Sequence, residues 1–228
     1  MRGAATVWLF DLDDTLHDAA TASMPHLHDS MNAYIQDELG LDADAATQLR
    51  RRYWQWYGAT LLGLVRHHGV KPAHFLHHTH LLPGLEQRVR GHAPDLAALA
   101  RLPGRKYILT NAPAAYARRV LGVLGVAQLF DGLISIEDMH MFGNLRPKPD
   151  RRMLRHIAAR LGVPPSHCVL VEDTLVHQKS ARAVGMGTVW MQRWLRRSVS
   201  HTHSANTRRH RRPAYVDRRV SRLRALLR

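Results

Sequence analysis

The sequence predicts an α/β protein: a core of parallel strands, interrupted after its first strand by an all-helical insert. Three observations predict it. A short apolar run, Thr6 to Phe10, opens the chain and ends at acids. A long stretch with almost no strand signal follows, from about Ala19 to Leu102. After it, short apolar strands alternate with amphipathic helices through short links, the pattern of right-handed crossovers and a parallel sheet.

The elements follow in order. Thr6–Phe10 is apolar and β-rich, as a strand buried on both faces should be. In the insert, Met31, Tyr34, Ile35 and Leu39 recur at helical spacing, and Gly40 is a good stop. Helices are expected at Ala45–Gly58, Thr60–His68 and Pro72–Leu81, with Pro83-Gly84 as a breaker. Strands are then expected at Lys106–Thr110, Gly132–Ile136, Cys168–Val171 and Thr188–Met191. Helices are expected at Ala114–Leu124, Asp150–Leu161 (stopped by Gly162) and Leu175–Val184 (stopped by Gly185). The core is therefore read as residues 1–16 with 97–228, and the insert as residues 17–96. Ser198 to Pro213 is poor in apolar residues and is expected to be a mobile basic loop. Val216, Val220, Leu223, Leu226 and Leu227 then suggest a final strand or helix packing back on the core.

Bulk composition narrows the function classes. With 228 residues and 45% hydrophobic content there is ample material for a core. No apolar run approaches the ~20 residues that span a bilayer, so no membrane partner is expected. Asp11 and Asp13 break the N-terminal apolar run before it could serve as a signal peptide. The single Cys168 lies in an apolar strand and reads as a buried structural thiol. These features fit a reduced cytoplasm. The net charge of +15 is uneven. From Arg193 onward arginines crowd the chain against one acid, Asp217. A nucleic-acid role is thus confined to this tail, which lacks interleaved aromatics and any reader motif, and an arginine-rich composition explains it equally well. Histidines cluster at His67, His68, His77, His78 and His80, and again at His201, His203 and His210. No cysteine joins them and no His-Glu-x-x-His pattern occurs, so they read as solvated side chains rather than a zinc site.

The candidate site lies where ligands bind in open parallel sheets, beyond the carboxyl ends of the strands. The first strand ends at Asp11 and Asp13, the second at Thr110-Asn111, the fourth at Glu172-Asp173, and the third connection leads to Lys148-Pro149. Two acids closing a buried strand are costly without a cation, which singles out Glu172 and Asp173. Asp14 reads as bonding its own turn, and Asp150 as the cap of the helix it opens.

Asp11-Leu12-Asp13-Asp14-Thr15-Leu16, Ile108-Leu109-Thr110-Asn111, Arg146-Pro147-Lys148-Pro149-Asp150 and Val171-Glu172-Asp173-Thr174 together resemble the haloacid dehalogenase-like hydrolases. The resemblance implies a Rossmann-like core with a helical cap. It implies Mg2+, with ligands from the Asp11 side chain, the Asp13 carbonyl and Asp173, and with Glu172 acting through a water. It also implies Asp11 as the nucleophile that becomes an aspartyl phosphate and Asp13 as the acid/base. Thr110 and the Asn111 backbone would hold the phosphoryl oxygens, and Lys148 would offset transition-state charge. In the family, phosphatases and phosphomutases need an acid at the Asp13 position and members that cleave carbon–halogen bonds do not, so Asp13 argues against a dehalogenase. The cap run Tyr53-Trp54-Gln55-Trp56-Tyr57-Gly58, followed by Leu62-Gly63-Leu64, resembles pyrimidine 5'-nucleotidases. Tyr53, Trp54 and Tyr57 thereby become candidate substrate contacts for a nucleoside monophosphate such as UMP or CMP, although the tryptophans read equally well as cap core. His177 departs from the asparagine often found there in that subfamily. A sugar phosphomutase or a phosphoglycolate phosphatase is the alternative enzyme.

Overall fold

The structure, a computed structural model, describes residues 6–195 and 212–227. The strands, in chain order, are β1 (Val7–Phe10), β2 (Arg105–Leu109), β3 (Gly132–Ile134), β4 (His140–Met141), β5 (Asn144–Leu145), β6 (Cys168–Glu172), β7 (Gly187–Met191) and β8 (Arg218–Val220). Six of them form one sheet in the order β3-β2-β1-β6-β7-β8, and every pairing in it is parallel. The first strand is therefore central. Val7 pairs with Arg105 on one side and Cys168 on the other, and Phe10 with Ile108 and Val171.

Side chains alternate across this sheet with period two. Val7, Leu9, Leu109, Cys168 and Leu170 join one apolar cluster. Phe10, Ile108, Val171, Val189 and Met191 join another. Helices cover both faces, as a parallel sheet requires. On the first face lie Met153, Leu154 and Ile157 of Arg151–Arg160 and Ala181 of Leu175–Ala183. On the second lie Leu99 of Ala93–Arg101 and Tyr116, Ala117, Val120 and Leu121 of Ala114–Leu124. Cys168 is buried in the first cluster, where burial pushes its thiol up to about 11.

The insert supplies its own core. Helices Met24–Leu39, Ala43–Tyr57, Thr60–His68 and Pro72–His80 gather Tyr34, Ile35, Ala46, Tyr53, Leu61, Leu64, Phe75 and Leu76, joined by Ile136 from the sheet domain. Gly40, Gly58 and Gly69 end three of these helices in the left-handed conformation. Leu82, Leu85 and Val89, further along the insert, pack instead with the sheet cluster.

Three details differ from the sequence expectation. The strand expected at Gly132–Ile136 stops at Ile134, because Ser135 caps a 3-10 turn over Ile136–Asp138 and Asp138 Oδ2 accepts bonds from the Ser135 N–H and hydroxyl. A hairpin of β4 and β5 follows, which no periodicity announced. The C-terminal segment provides both a strand, β8, and a 3-10 turn, Leu223–Leu227, with Val220, Leu223 and Leu226 in the sheet cluster. Most of the expected basic loop, 198–213, lies outside the described residues, as do His201, His203 and His210. Arg212 donates to the Val216 carbonyl at 2.6 Å, and Asp217 pairs with Arg182 of the helix Leu175–Ala183 at 2.9 Å. Among the described residues no helix is long and apolar enough to cross a membrane.

Gly63 shows how tightly the insert is packed. A Cβ there would lie 2.2 Å from Cγ of the buried Tyr53 ring. Gly63→Ala is expected to lower stability by about 1–3 kcal/mol through overpacking. The exposed helical Gly122 has nothing within 4 Å of its would-be Cβ, and Gly122→Ala is expected to raise stability by up to about 1 kcal/mol. Urea unfolding measures both, and shifts of the same sign would refute this packing account.

Candidate active site

The turn after β1 is built to present carboxylates. The Asp11 N–H donates to the Val171 carbonyl, extending the sheet by one residue. Leu12 and Leu16 are buried in the core and anchor the turn between them. Asp14 adopts a left-handed φ of 54°, a conformation that Asp tolerates better than most residues. Its Oδ1 accepts the Ala20 N–H at 3.0 Å, so it staples the turn as expected. Thr110 is held by its N–H to the Ile134 carbonyl, and its hydroxyl oxygen accepts the Ala112 N–H at 3.0 Å.

Lys148 lies at the centre. Only 2% exposed, its Nζ donates to Asp11 Oδ1 at 2.6 Å and to Glu172 Oε2 at 2.8 Å. Asn111 fixes the loop that carries it. The Asn111 amide donates to the Lys148 carbonyl and its Oδ1 accepts the Lys148 N–H, both at 2.9 Å. Asn111 was expected to contribute through its backbone; its side chain has this second task. At the end of β6, Gln178 donates to the carbonyls of Glu172 (2.9 Å) and Val189 (2.6 Å), and the Trp190 indole donates to the Asp173 carbonyl at 2.8 Å. His177 sets its Nδ1 3.1 Å from Glu172 Oε2, adding an electrostatic partner to that carboxylate.

Asp11, Glu172 and Asp173 each offer an oxygen, and these oxygens lie within 4.8 Å of one another. Burial, then Glu172, pushes the Asp11 carboxyl up, and burial, Glu172 and Asp11 do the same to Asp173. Burial opposes the charged forms of Glu172 and Lys148 as well, but their partners together outweigh it: Lys148, His177 and the Asp173 bond hold the Glu172 carboxyl below its usual value, and Asp11 with Glu172 holds the Lys148 ammonium above its own. One buried cation thus faces two buried acids and the half-buried Asp173. This set suits a hard divalent cation with oxygen ligands, which would return Asp11 and Asp173 to their carboxylate forms. The cap histidines do not compete for this role. His74, His68 and His67 engage the hydroxyls of Tyr34, Tyr53 and Tyr57 at 2.6–2.8 Å.

Asp13, on the same turn, has two partners that the sequence did not reveal. The Tyr116 hydroxyl is 2.7 Å and His17 Nε2 2.9 Å from its Oδ1. Tyr116 sits on the apolar face of its helix, so by pattern it reads as core. The three cap aromatics separate. Tyr53 is buried in the insert's own cluster, Trp54 is 59% exposed, and only Tyr57 lines a cavity at the seam of insert and sheet domain. That cavity, of about 290 Å³, is also bounded by Leu62, Leu145, Arg146, Pro147, Pro149 and Asp150. His80, expected to be solvated, is buried, with its ring edge-on to Tyr116 at 5.9 Å.

A model of the haloacid dehalogenase-like hydrolase family matches residues 6–185. Phosphate metabolism protein 8 of Saccharomyces cerevisiae is 26% identical over 198 residues, 82% of this chain and 61% of that protein. The plasmid-encoded phosphoglycolate phosphatase of Cupriavidus necator is 35% identical over 106 residues, 46% of this chain and 41% of that one. The chain's matches thus span under two thirds of these relatives. The solved structure of a HAD phosphatase from Thermococcus onnurineus superposes with a TM-score of 0.60 at 21% identity, covering 97% of this chain and 95% of the other, a likeness of fold.

Burial depresses the His80 imidazole from 6.5 to about 4, against the pull of Asp13 and Glu137. The folded form keeps it neutral while the unfolded chain takes up a proton below about 6.5. Stability is therefore lost as pH falls from 6.5 toward 4, at up to about 1.4 kcal/mol per pH unit. Denaturant titrations from pH 7 to 5 should show a steeper loss for wild type than for His80→Gln; parallel curves would contradict a neutral buried His80.

Proposed function

This chain belongs to the haloacid dehalogenase-like hydrolase family, and on that premise we propose that it is a magnesium-dependent phosphomonoester hydrolase. The observation that carries the reading is the buried Lys148 ammonium bridging Asp11 and Glu172, with a second carboxylate, Asp13, two residues beyond the first. A magnesium ion would be held by the Asp11 and Asp173 side chains and the Asp13 carbonyl, with Glu172 alongside, and would cancel the repulsion between carboxylates and a phosphate dianion.

The chain's own residues account for the rest. Asp11 attacks phosphorus in line, and the bond to the leaving oxygen breaks as an aspartyl phosphate forms. Asp13 gives its proton to the leaving oxygen, then takes one from the water that hydrolyses the intermediate. Lys148 offsets charge on the transferring phosphoryl group. The Thr110 hydroxyl and the Asn111 N–H hold its oxygens, while the Asn111 side chain keeps Lys148 in place. Residues 17–96 serve as the cap that closes over substrate and excludes water.

For the leaving group we favour a pyrimidine nucleoside 5'-monophosphate. The cap run from Tyr53 to Leu64 supports this, and Tyr57, which lines the seam cavity, is the aromatic best placed to meet a base. Phosphoglycolate or a sugar phosphate is the second reading, favoured by the name of the Cupriavidus necator relative.

Phosphate release should be measured from nucleoside 5'-monophosphates, sugar phosphates and phosphoglycolate, with magnesium and with a chelator. Release is expected only with the metal, and fastest from UMP or CMP. Asp11→Asn should lower turnover on the order of 10⁴-fold or more, as loss of a nucleophile does. No metal-dependent release from any substrate, or full activity in Asp11→Asn, would sink the proposal.

A further inference from the structure

We infer that Tyr116 and His17 are positioning residues that fix Asp13 for proton transfer to the leaving group, an inference that rests on the phosphohydrolase reading above. Three separate segments meet at this carboxylate. Tyr116 comes from the helix Ala114–Leu124, His17 follows the β1 turn, and Ser23 precedes the long insert helix. The Ser23 and Tyr116 oxygens are 2.8 Å apart, and the Tyr116 and Asp13 oxygens 2.7 Å apart. A phenol has one proton. The Ser23 hydroxyl has the Ala19 carbonyl at 3.4 Å and the Tyr116 oxygen at 2.8 Å, so the shorter path has Ser23 donating to Tyr116 and Tyr116 donating to Asp13, a chain in which each bond strengthens the next. His17 Nε2 donates to the same oxygen, Oδ1, at 2.9 Å.

Two consequences follow from convergence on one oxygen. Two donors from different directions fix both torsions of a short side chain, and small misplacements of reacting groups are costly. They also load Oδ1 with donated protons, so the proton that Asp13 delivers resides on Oδ2. As it passes, the P–O bond breaks and the leaving oxygen gains the hydrogen.

His17 supplies independent support. It is fully buried and its Nδ1 has no hydrogen-bond partner. An unsatisfied buried nitrogen costs about 1–3 kcal/mol, and stability alone gives no reason to tolerate it. With its proton on Nε2 for Asp13, the neutral ring leaves Nδ1 as an acceptor that no described donor meets, so the bond to Asp13 is the one polar contact that holds this ring.

The test compares leaving groups. An alkyl phosphate, such as a nucleoside monophosphate, needs its leaving oxygen protonated; p-nitrophenyl phosphate expels a stabilised phenolate and needs it far less. The ratio kcat/KM is the quantity to read, because it ends with departure of the leaving group and excludes hydrolysis of the aspartyl phosphate. Tyr116→Phe is expected to lose about 10²-fold on the alkyl ester and under about threefold on the aryl ester, the size of general acid catalysis. His17→Leu should show the same bias, and His17→Gln, which retains a donor, should recover much of the loss. Ser23→Ala leaves both rings in place and should show a smaller bias of the same sign. Equal losses on both esters, or none, in an active background would overturn the inference while leaving the phosphohydrolase intact. A wild-type protein that releases phosphate from neither these two esters nor any other member of the substrate panel would overturn the phosphohydrolase reading itself, and this inference with it.

Discussion

The site depends on a single ammonium group. Lys148 lies in the sheet domain with two carboxylates within 2.8 Å and almost no solvent. A buried lysine without partners would give up its proton, and two buried acids without a cation would take protons up. Each therefore requires the other. Removing one member of such a set leaves an uncompensated charge, typically at a cost of about 3–5 kcal/mol. The surroundings reflect this constraint. Asn111 spends its side chain clamping the Lys148 backbone, and Gln178 spends its amide on the carbonyls of β6 and β7. These bonds hold main chain in register, so that the side chains ending each strand converge.

The same cluster carries an imbalance that stability does not explain. Three acids share one close lysine, and Asp11 and Asp173 are pushed toward their neutral forms. An arrangement selected for stability alone would match charges or replace them with apolar groups. A site prepared for a hard divalent cation would look as this one does. Asp13 adds its charge to those facing Asp11. Its partners are a phenol and an imidazole, and it lies on the side of the turn that meets the insert, where Tyr116 is covered by His80.

Much of this was legible in the sequence because its carriers are local. A strand buried on both faces needs consecutive apolar residues, so the five inner strands could be found, while the edge strand β8, with two arginines, was left open as strand or helix, and the acids and hydroxyls at the strand ends stood out. Asp150 was readable as a cap and does accept the N–H groups of Arg152 and Met153. Cys168 was readable as buried. The β4–β5 hairpin was not, since two-residue strands have no measurable period. The burial of His80 was missed because it follows the exposed His77 and His78, while the side chains that bury it, Tyr116 among them, come from distant segments.

By itself the sequence determined the α/β alternation, the place of the helical insert and the residues that close the strands, because each is written in a local period or in the chemical identity of a few adjacent side chains. Only the tertiary structure decided how those residues are used. It brought Tyr116 to Asp13 across 103 positions and Lys148 to Asp11 across 137, turned the Asn111 side chain to a supporting role, and sent Tyr53 into the insert's core. Contacts between segments so far apart depend on which faces pack together, and no local pattern in the chain encodes that choice.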